Sequence, residues 1–309
     1  MQLSELHKNV VKKLNANNIE SSSLDTKIIL KEVLKIQDKD LILDKNINVN
    51  PLEDKLITDM VEERINRKPL SRIIGRKEFF SLEFEIDDSV LDPRPETEHL
   101  VEEAINLIQK NEIKNILELG VGSGCVIISI LKICNGIKGF GVDISKDAIV
   151  NAKLNLTKNK LDDCHLVVSD WAKSLNMKFD LIVSNPPYIK SSDLAYLPKE
   201  VGNHDPSISL NGGYDGLESY RKIAKHACDL LTHNGFLVIE IGYNQAKDVS
   251  NIFNSHDFKL LNKVKDYSDL DRILIFSKKK IKKQWKSSFQ EASVSLLKKL
   301  KLFPKNLSF

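Results

Sequence analysis

No stretch of the 309-residue sequence approaches the roughly 18 apolar residues of a membrane-spanning helix. The opening segment, Met1 to Asn17, has neither the apolar block of a signal peptide nor the Arg-rich, acid-poor character of a transit peptide. Instead it sets Glu5, Lys8, Lys12 and Lys13 into a helical pattern. The compartment this implies is the cytoplasm. Cysteine is scarce: Cys125, Cys134, Cys164 and Cys228 are scattered with no C-x-x-C, which excludes a secreted disulfide framework and zinc-ligand spacing. All four lie in apolar sequence and are expected to be small buried thiols. None of the seven histidines pairs with a Cys or another His at ligand spacing, so no metal site is expected. There is no internal repeat.

What is present is enough for a folded chain. Hydrophobic residues make up 41% and charged residues 29%, a balance that excludes disorder, and the length allows about two domains. The net charge of +3 is unevenly spread. Residues 278–309 carry ten Lys and one Glu, while residues 1–277 carry 36 basic and 42 acidic side chains. A mildly acidic body argues against a broad nucleic-acid footprint.

Residues 1–71 read as a small helical domain of three helices. Leu3, Leu6, Val10, Val11 and Leu14 share one face, and Leu24, Ile28, Ile29, Val33, Leu34 and Ile36 share another. A third helix opens at Asn50-Pro51-Leu52-Glu53, with Asn50 as cap, Pro51 at the first helical position and Glu53 completing a capping box; Leu56, Met60, Val61 and Ile65 form its apolar face. Residues 72–92 change period, and Phe79 to Asp87 partly alternates apolar and acidic residues, as in a β-hairpin linker. A helix from His99 to Lys110 follows. From Lys114, short apolar runs alternate with helical segments: 116–119, 140–143, 166–168, 181–183, 236–239 and 273–276. The fold class is α/β, a mostly parallel sheet covered on both faces and spanning 93–277, with a basic extension at 278–309.

Two loops carry the chemistry. Glu118-Leu119-Gly120-Val121-Gly122-Ser123-Gly124 ends the first strand of the sheet and opens a helix at Cys125. Glycines let the backbone turn sharply and approach a ligand. The spacing G-x-G-x-G, with Cys at 125, departs from the dinucleotide pattern and suits a cofactor without phosphates, S-adenosylmethionine. Asp143, at the end of the second strand, is placed to accept from ribose hydroxyls. The plainer alternative is a structural turn. The second loop is Asn185-Pro186-Pro187-Tyr188, after the fourth strand. Its prolines remove two donors and fix two φ angles, so its carbonyls should stay unpaired and point outward. With the Asn185 amide and the Tyr188 ring they form a rigid cradle for a planar group bearing an NH2, as methylation of an amide or amino nitrogen requires. A proline-stiffened turn is the plainer reading here too.

With these residues in place, the chain resembles class I S-adenosylmethionine-dependent methyltransferases and, more narrowly, the protein-(glutamine-N5) methyltransferases of the PrmC/HemK family. The resemblance also rests on Pro93-Arg94-Pro95-Glu96-Thr97-Glu98, Ser169-Asp170-Trp171, Gly212-Gly213-Tyr214-Asp215-Gly216-Leu217 and the segment Lys265 to Arg272. It implies a Rossmann-like sheet with a helical N-terminal domain that helps dock a protein substrate. It also implies that Gly120, Val121, Gly122, Ser123 and Gly124 line the methionine part of the cofactor, that Asp143 holds its ribose, and that Asp170 and Trp171 flank its adenine. Asn185 would reach both cofactor and substrate. Asn185, Pro186, Pro187 and Tyr188 would bind the target amide, with Asn185, Pro186 and Tyr188 as the catalytic set and Arg94 and Glu96 on the substrate face. The implied partners are class I peptide chain release factors, methylated on the glutamine of a Gly-Gly-Gln motif in translation termination. Three features depart from the family pattern: Val121 where Thr is frequent, Asp205-Pro206 in place of Glu-Pro, and the tail.

Two other readings compete. The Asn-Pro-Pro-Tyr loop also serves adenine and guanine N-methyltransferases of nucleic acid, and a cofactor-binding adaptor without catalysis would keep the same sheet. The acidic body disfavours the first and the intact loop the second. Glu96 and Glu98 could simply favour a helix N-terminus through its dipole. Glu240, at the end of a strand, reads as a structural partner, since the chemistry needs no general acid. Trp285, Phe289, Ala292, Leu296, Leu300 and Phe303 make the tail a basic amphipathic helix candidate that could meet RNA, an acidic partner or a membrane surface; a solvated extension is the plainer reading. Because every motif precedes residue 278, a chain lacking 278–309 is expected to keep methyl transfer nearly intact, measured as kcat on a purified release factor.

Overall fold

A computed structural model describes residues 2–43 and 46–279; the tail helix candidate lies outside the described residues. The N-terminal region holds five helices, α1 (Leu3–Ala16), α2 (Ser22–Leu34), α3 (Asp38–Ile42), α4 (Pro51–Ile65) and α5 (Leu70–Ile74), where the sequence pattern predicts three. The two extra ones are single turns, too short to show a period. α4 starts as its sequence dictates: Asn50 Oδ1 accepts from Leu52 N and Glu53 N at 2.9 Å, and Glu53 Oε2 accepts from Asn50 N at 2.9 Å. On α4 the expected Val61 is buried and Met60 and Ile65 pack half-buried against the same cluster, joined by Ile57 and Arg64, while Leu56 is exposed. Leu24 of α2 is exposed likewise. A buried ion pair, Arg64 Nε to Asp25 Oδ2 at 2.7 Å, joins the two helices beside this apolar cluster.

Strands β1 (Arg76–Phe79) and β2 (Leu82–Glu85) form the hairpin, turning through Phe80 and Ser81 in left-handed conformation (φ 50° and 60°). Glu98 Oε1 accepts from Phe80 N at 2.9 Å, so this carboxylate holds the hairpin turn. The hairpin is fastened to the sheet domain through helix α8 (Lys146–Lys158): Asn155 Oδ1 accepts from Glu85 N at 2.7 Å, while its Nδ2 donates to Glu85 O and to Ser123 O in the glycine loop.

The seven-stranded sheet contains β3 (Asn115–Leu119), β4 (Lys138–Asp143), β5 (Cys164–Val168), β6 (Phe179–Ser184), β7 (Leu231–Glu240), β8 (Phe258–Lys265) and β9 (Asp271–Lys278), in the order β5-β4-β3-β6-β7-β9-β8. Five strands are parallel, and β9 runs antiparallel to both β7 and β8. β8 escapes the sequence pattern because it is a mostly exposed edge carrying Lys259, Lys263 and Lys265, as edge strands often do. One face packs on α6 (Glu98–Lys110), α7 (Cys125–Ile133), α8 and the hairpin. The other packs on α11 (Glu218–Leu230) and α12 (Ala246–Asn254). The short helices α9 (Lys199–Gly202) and α10 (Ser207–Leu210) lie in the segment between β6 and α11. Of the cysteines only Cys134 is buried; the other three are half-buried. Burial nevertheless raises every thiol pKa, those of Cys125 and Cys164 to about 12.

The chain reverses its direction of growth at β3 and β6: β4 and β5 extend the sheet one way, β7, β9 and β8 the other. Ligands bind at the carboxyl ends of strands at such a switch point. Ser184 Oγ donates to Leu119 O at 2.7 Å and ties the two strand ends together.

A buried cluster joins the helical region to this face. Asp205, between α9 and α10, accepts from Arg72 Nη2 of α5 at 2.7 Å, and both side chains have no exposure. Arg94 donates to the other carboxylate oxygen. Arg72 also donates to the carbonyls of Asp87 and Val90 in the linker, the latter at 2.7 Å. Asp in place of the family's Glu thus sits at a junction. Replacing Asp205 by Ala leaves two guanidinium groups without their partner; the expected cost is about 3–5 kcal/mol, read as a fall in the urea unfolding midpoint.

Candidate functional site

The glycine loop leaves β3 with Gly120 N and Val121 N donating to Val142 O at 2.9 and 3.0 Å. Gly120 and Gly122 have φ of 77° and 51°, which favour glycine, and a Cβ at either would meet nothing within 4 Å. These two glycines are therefore required by conformation, and beyond them is open space. That space is a cavity of about 260 Å³ bordered by the loop, Asp143, Asp170, Trp171, Thr97 and Asn185. Val121 turns its side chain into the core, 2% exposed, so only its backbone is offered to the cavity. Ser123 and Gly124 are buried in the loop's descent into α7.

Asp143 is fixed from two sides. Its Oδ2 accepts from Gly122 N and its Oδ1 from Ser145 N, both at 2.9 Å. Each oxygen keeps a lone pair for a further donor. Trp171 borders the cavity in left-handed conformation, φ 52°, at a cost of roughly 1–3 kcal/mol for so bulky a side chain. Asp170 pairs with Lys173, which holds its carboxyl below the usual range. Glu118 also borders this cavity; it is buried, accepts from Ile127 N at 3.0 Å, and burial pushes its pKa well up. Acidic groups outnumber basic ones along the wall. Arg94 is bound to Asp205 and Lys222 to Glu218. Such a wall is a poor fit for a pyrophosphate and a good fit for a cationic, phosphate-free ligand with a ribose.

A second cavity of about 250 Å³ lies alongside, bordered by Arg94, Glu96, Pro186, Tyr188, Glu240 and Arg272. Asn185 borders both cavities and so stands where they meet. The site residues Asn185, Pro186, Tyr188, Arg94 and Glu96 all reach this second space; Pro187 faces the first. Among the described residues no hydrogen bond reaches the carbonyls of Asn185, Pro186 or Pro187. The Tyr188 carbonyl, expected to be unpaired, is taken by Gln245 Nε2 at 3.0 Å. Gly212 and Gly216 press against the same residue: a Cβ at Gly212 would lie 2.7 Å from Tyr188 Cα, and one at Gly216 would lie 2.6 Å from Tyr188 O. The Gly-Gly-Tyr-Asp-Gly segment is therefore a buttress for the Asn-Pro-Pro-Tyr loop.

The least legible part of the site is a line of polar groups behind that loop. Asn185 Nδ2 donates to Thr97 Oγ1 at 3.1 Å. The hydroxyls of Thr97 and Tyr188 lie close enough to Glu240 to favour its charged form. A threonine hydroxyl has one hydrogen; when it serves Glu240, its lone pairs must accept from Asn185. The Asn185 amide is thus held by one N–H, and Oδ1 and the second N–H are left for a ligand. Glu240 itself is 1% exposed, and among the described residues its Oε2 has no hydrogen-bond partner. Burial pushes its pKa to about 7, against the favourable influences of Thr97, Arg272 and Tyr188. From about pH 4.5 to 7 the folded chain holds a proton there that the unfolded chain releases, so this carboxyl subtracts stability as pH rises through that window. The sequence placed Thr97 inside a motif without a role; its position between two glutamates at the start of α6 was the available signal. Among the described residues no group of three His, Cys, Asp or Glu could hold a metal ion.

Residues 5–75 match the family description "PrmC N-terminal domain", and residues 98–197 match "Methyltransferase small domain". The chain is 38% identical over 270 residues to a release factor glutamine methyltransferase of Agrobacterium fabrum (strain C58), covering 86% of this chain and 93% of that protein. To one of Fusobacterium nucleatum it is 39% identical over 275 residues, covering 88% and 77%. Among solved structures, the hMettl16 catalytic domain in complex with MAT2A 3'UTR hairpin 6 superposes with a TM-score of 0.53 at 16% identity, covering 75% of this chain and 84% of that one. A methyltransferase from Pyrococcus furiosus gives 0.50 at 17%, covering 72% and 100%. These two share the fold.

Replacing Asp143 by Ala removes the acceptor at the cavity rim and the partner of Gly122 N. Calorimetry should show weaker binding of S-adenosylmethionine, and the rise in melting temperature that this ligand gives the unaltered chain should shrink.

Proposed function

The chain belongs to the family of release factor glutamine methyltransferases, and from that membership we propose that it methylates the side-chain amide nitrogen (N5) of the glutamine in the Gly-Gly-Gln motif of class I peptide chain release factors, with S-adenosyl-L-methionine as donor. The observation that carries the reading is the pair of cavities meeting at Asn185. The first suits the donor and the second suits a carboxamide. When bound, the donor supplies an electrophilic methyl group. Gly120 to Gly124 and Asp143 hold it, and Asp170 and Trp171 border its far end.

The rest is the work of the chain's own residues. An amide nitrogen is a poor nucleophile because its lone pair is delocalised. Asn185 Oδ1 and the unpaired carbonyls of the loop accept the target N–H groups, which orients the nitrogen and stabilises positive charge developing on it. Prolines 186 and 187 keep those acceptors rigid, and Tyr188, pinned by Gln245, walls the pocket. Residues 1–71 and the hairpin linker present a surface to the folded substrate, with Arg94 and Glu96 near the pocket rim. We place this activity in the cytoplasm, with translation termination.

Asn185→Ala should lower kcat by about 10²–10³ and change the affinity for S-adenosylmethionine little. Asn185→Asp should also fall well below wild type, because a carboxylate cannot donate to Thr97 and brings a second negative charge toward Glu240. Single-turnover rates on a release factor decide both, with DNA and RNA as parallel substrates: label entering nucleic acid and not the release factor would replace this reading. A wild-type rate for Asn185→Ala would return the loop to a structural turn.

A further inference from the structure

Glu240 is unused by the mechanism above, yet no other group in the second cavity is so exposed to unfavourable physics. Its carboxylate ends β7, next to the end of β6 that carries Asn185, and borders the same cavity as Asn185, Pro186 and Tyr188. It is 1% exposed, and among the described residues Oε2 has no hydrogen-bond partner. A buried acceptor left unmatched is costly, and its natural partner is an N–H supplied by whatever enters. Resting on the reading that a glutamine side chain occupies this cavity, we propose that Glu240 is the residue that selects carboxamide over carboxylate: Oε2 accepts an N–H of the target amide, and the same charge rejects a glutamate at that position.

The charged surroundings fit this role. From the start of α6 come Thr97, whose hydroxyl faces the carboxylate, and Glu96, whose like charge raises its pKa. From the Asn-Pro-Pro-Tyr loop comes the Tyr188 hydroxyl, and from β9 comes Arg272, which favours the charged form but is already bound to Asp266 at 2.9 Å. Cys125 of α7 senses the carboxylate, and Tyr220 of α11 donates to the Glu240 backbone carbonyl at 3.2 Å and not to the side chain. Arg94, the remaining nearby cation, is paired with Asp205. The negative charge is therefore tolerated and only partly compensated. A second carboxylate beside it is strongly disfavoured unless the two share a proton. A site built to hydrogen-bond a donor discriminates against an analogue lacking it far more than a hydrophobic pocket discriminates by size.

The two substrates should therefore respond to pH in opposite senses. Protonation of Glu240, near pH 7, takes away the charge that strengthens the acceptor for glutamine and supplies a donor for glutamate. Binding of a full-length release factor carrying Gly-Gly-Gln, and of its Gln→Glu variant, is measured by calorimetry between about pH 5.5 and about pH 8.5. At the upper end the wild-type chain should prefer the glutamine form by at least about 10²-fold. Below about pH 7 the preference should shrink by up to about tenfold per unit, the glutamine form weakening and the glutamate form strengthening. In Glu240→Gln, whose amide donates to a carboxylate, the preference should fall to within about tenfold and lose its pH dependence. A wild-type preference that is flat across this range overturns the proposal without need of any variant, as does an unchanged preference in a folded Glu240→Gln protein. Methyl labelling of the Gly-Gly-Gln form by the wild-type chain separates the two readings. Labelling with a flat preference removes only the selector, whereas failure of both labelling and binding removes the substrate assignment and the selector with it.

Discussion

The site depends on two strand ends being neighbours. β3 and β6 are far apart in sequence but adjacent and parallel in the sheet, with Glu118 opposite Val183. Because they run the same way, the loops that leave them emerge on one edge, and a hydrogen bond of 2.7 Å from Ser184 to Leu119 keeps the exits together. β7 lies on the other side of β6 and brings Glu240 to the same edge. Three strand ends thus deliver a flexible glycine turn, a stiff proline turn and a buried carboxylate to one place. Flexibility is needed where the backbone must make room, and stiffness where carbonyls must hold position against water.

The helical region is attached by charge at a buried place, where ion pairs bring specificity more than net stability. Arg72 is satisfied by two linker carbonyls and by Asp205, so the junction has a defined geometry. Arg94 joins the same carboxylate from the side of the pocket. Expected from the resemblance to face the substrate, Arg94 spends its charge on this junction and offers the cavities its remaining surface. Glu98 is likewise engaged, at the hairpin turn, while Glu96 stays at the rim.

Much of this was legible in the sequence because it is local. The capping box at Asn50, the glycine turn and the proline turn each declare themselves within seven residues, and the hairpin does so by its change of period. The apolar faces of α2 and α4 were legible except at Leu24 and Leu56, which are exposed, but apolar periodicity cannot anticipate that Asp25 and Arg64 go inside together. β8 was missed because an edge strand with lysines has no apolar run to notice. The relay from Asn185 through Thr97 to Glu240 was out of reach for a different reason. Its members come from three segments with nothing in common until the sheet is assembled, and its meaning lies in which hydrogen goes where.

The clamp around Arg72 also sets a length. A linker free to swing would let the helical region meet partners at many distances from the pocket. Arg72 holds this linker at Asp87 and Val90 and binds Asp205 of the sheet domain, while the hairpin is fastened through Asn155 to Ser123 in the glycine loop. The helical region is therefore a spacer and not a hinge, and a spacer measures. A partner that touches both it and the pocket must hold the two touching points at one separation, which a folded surface can do and a short loose peptide cannot.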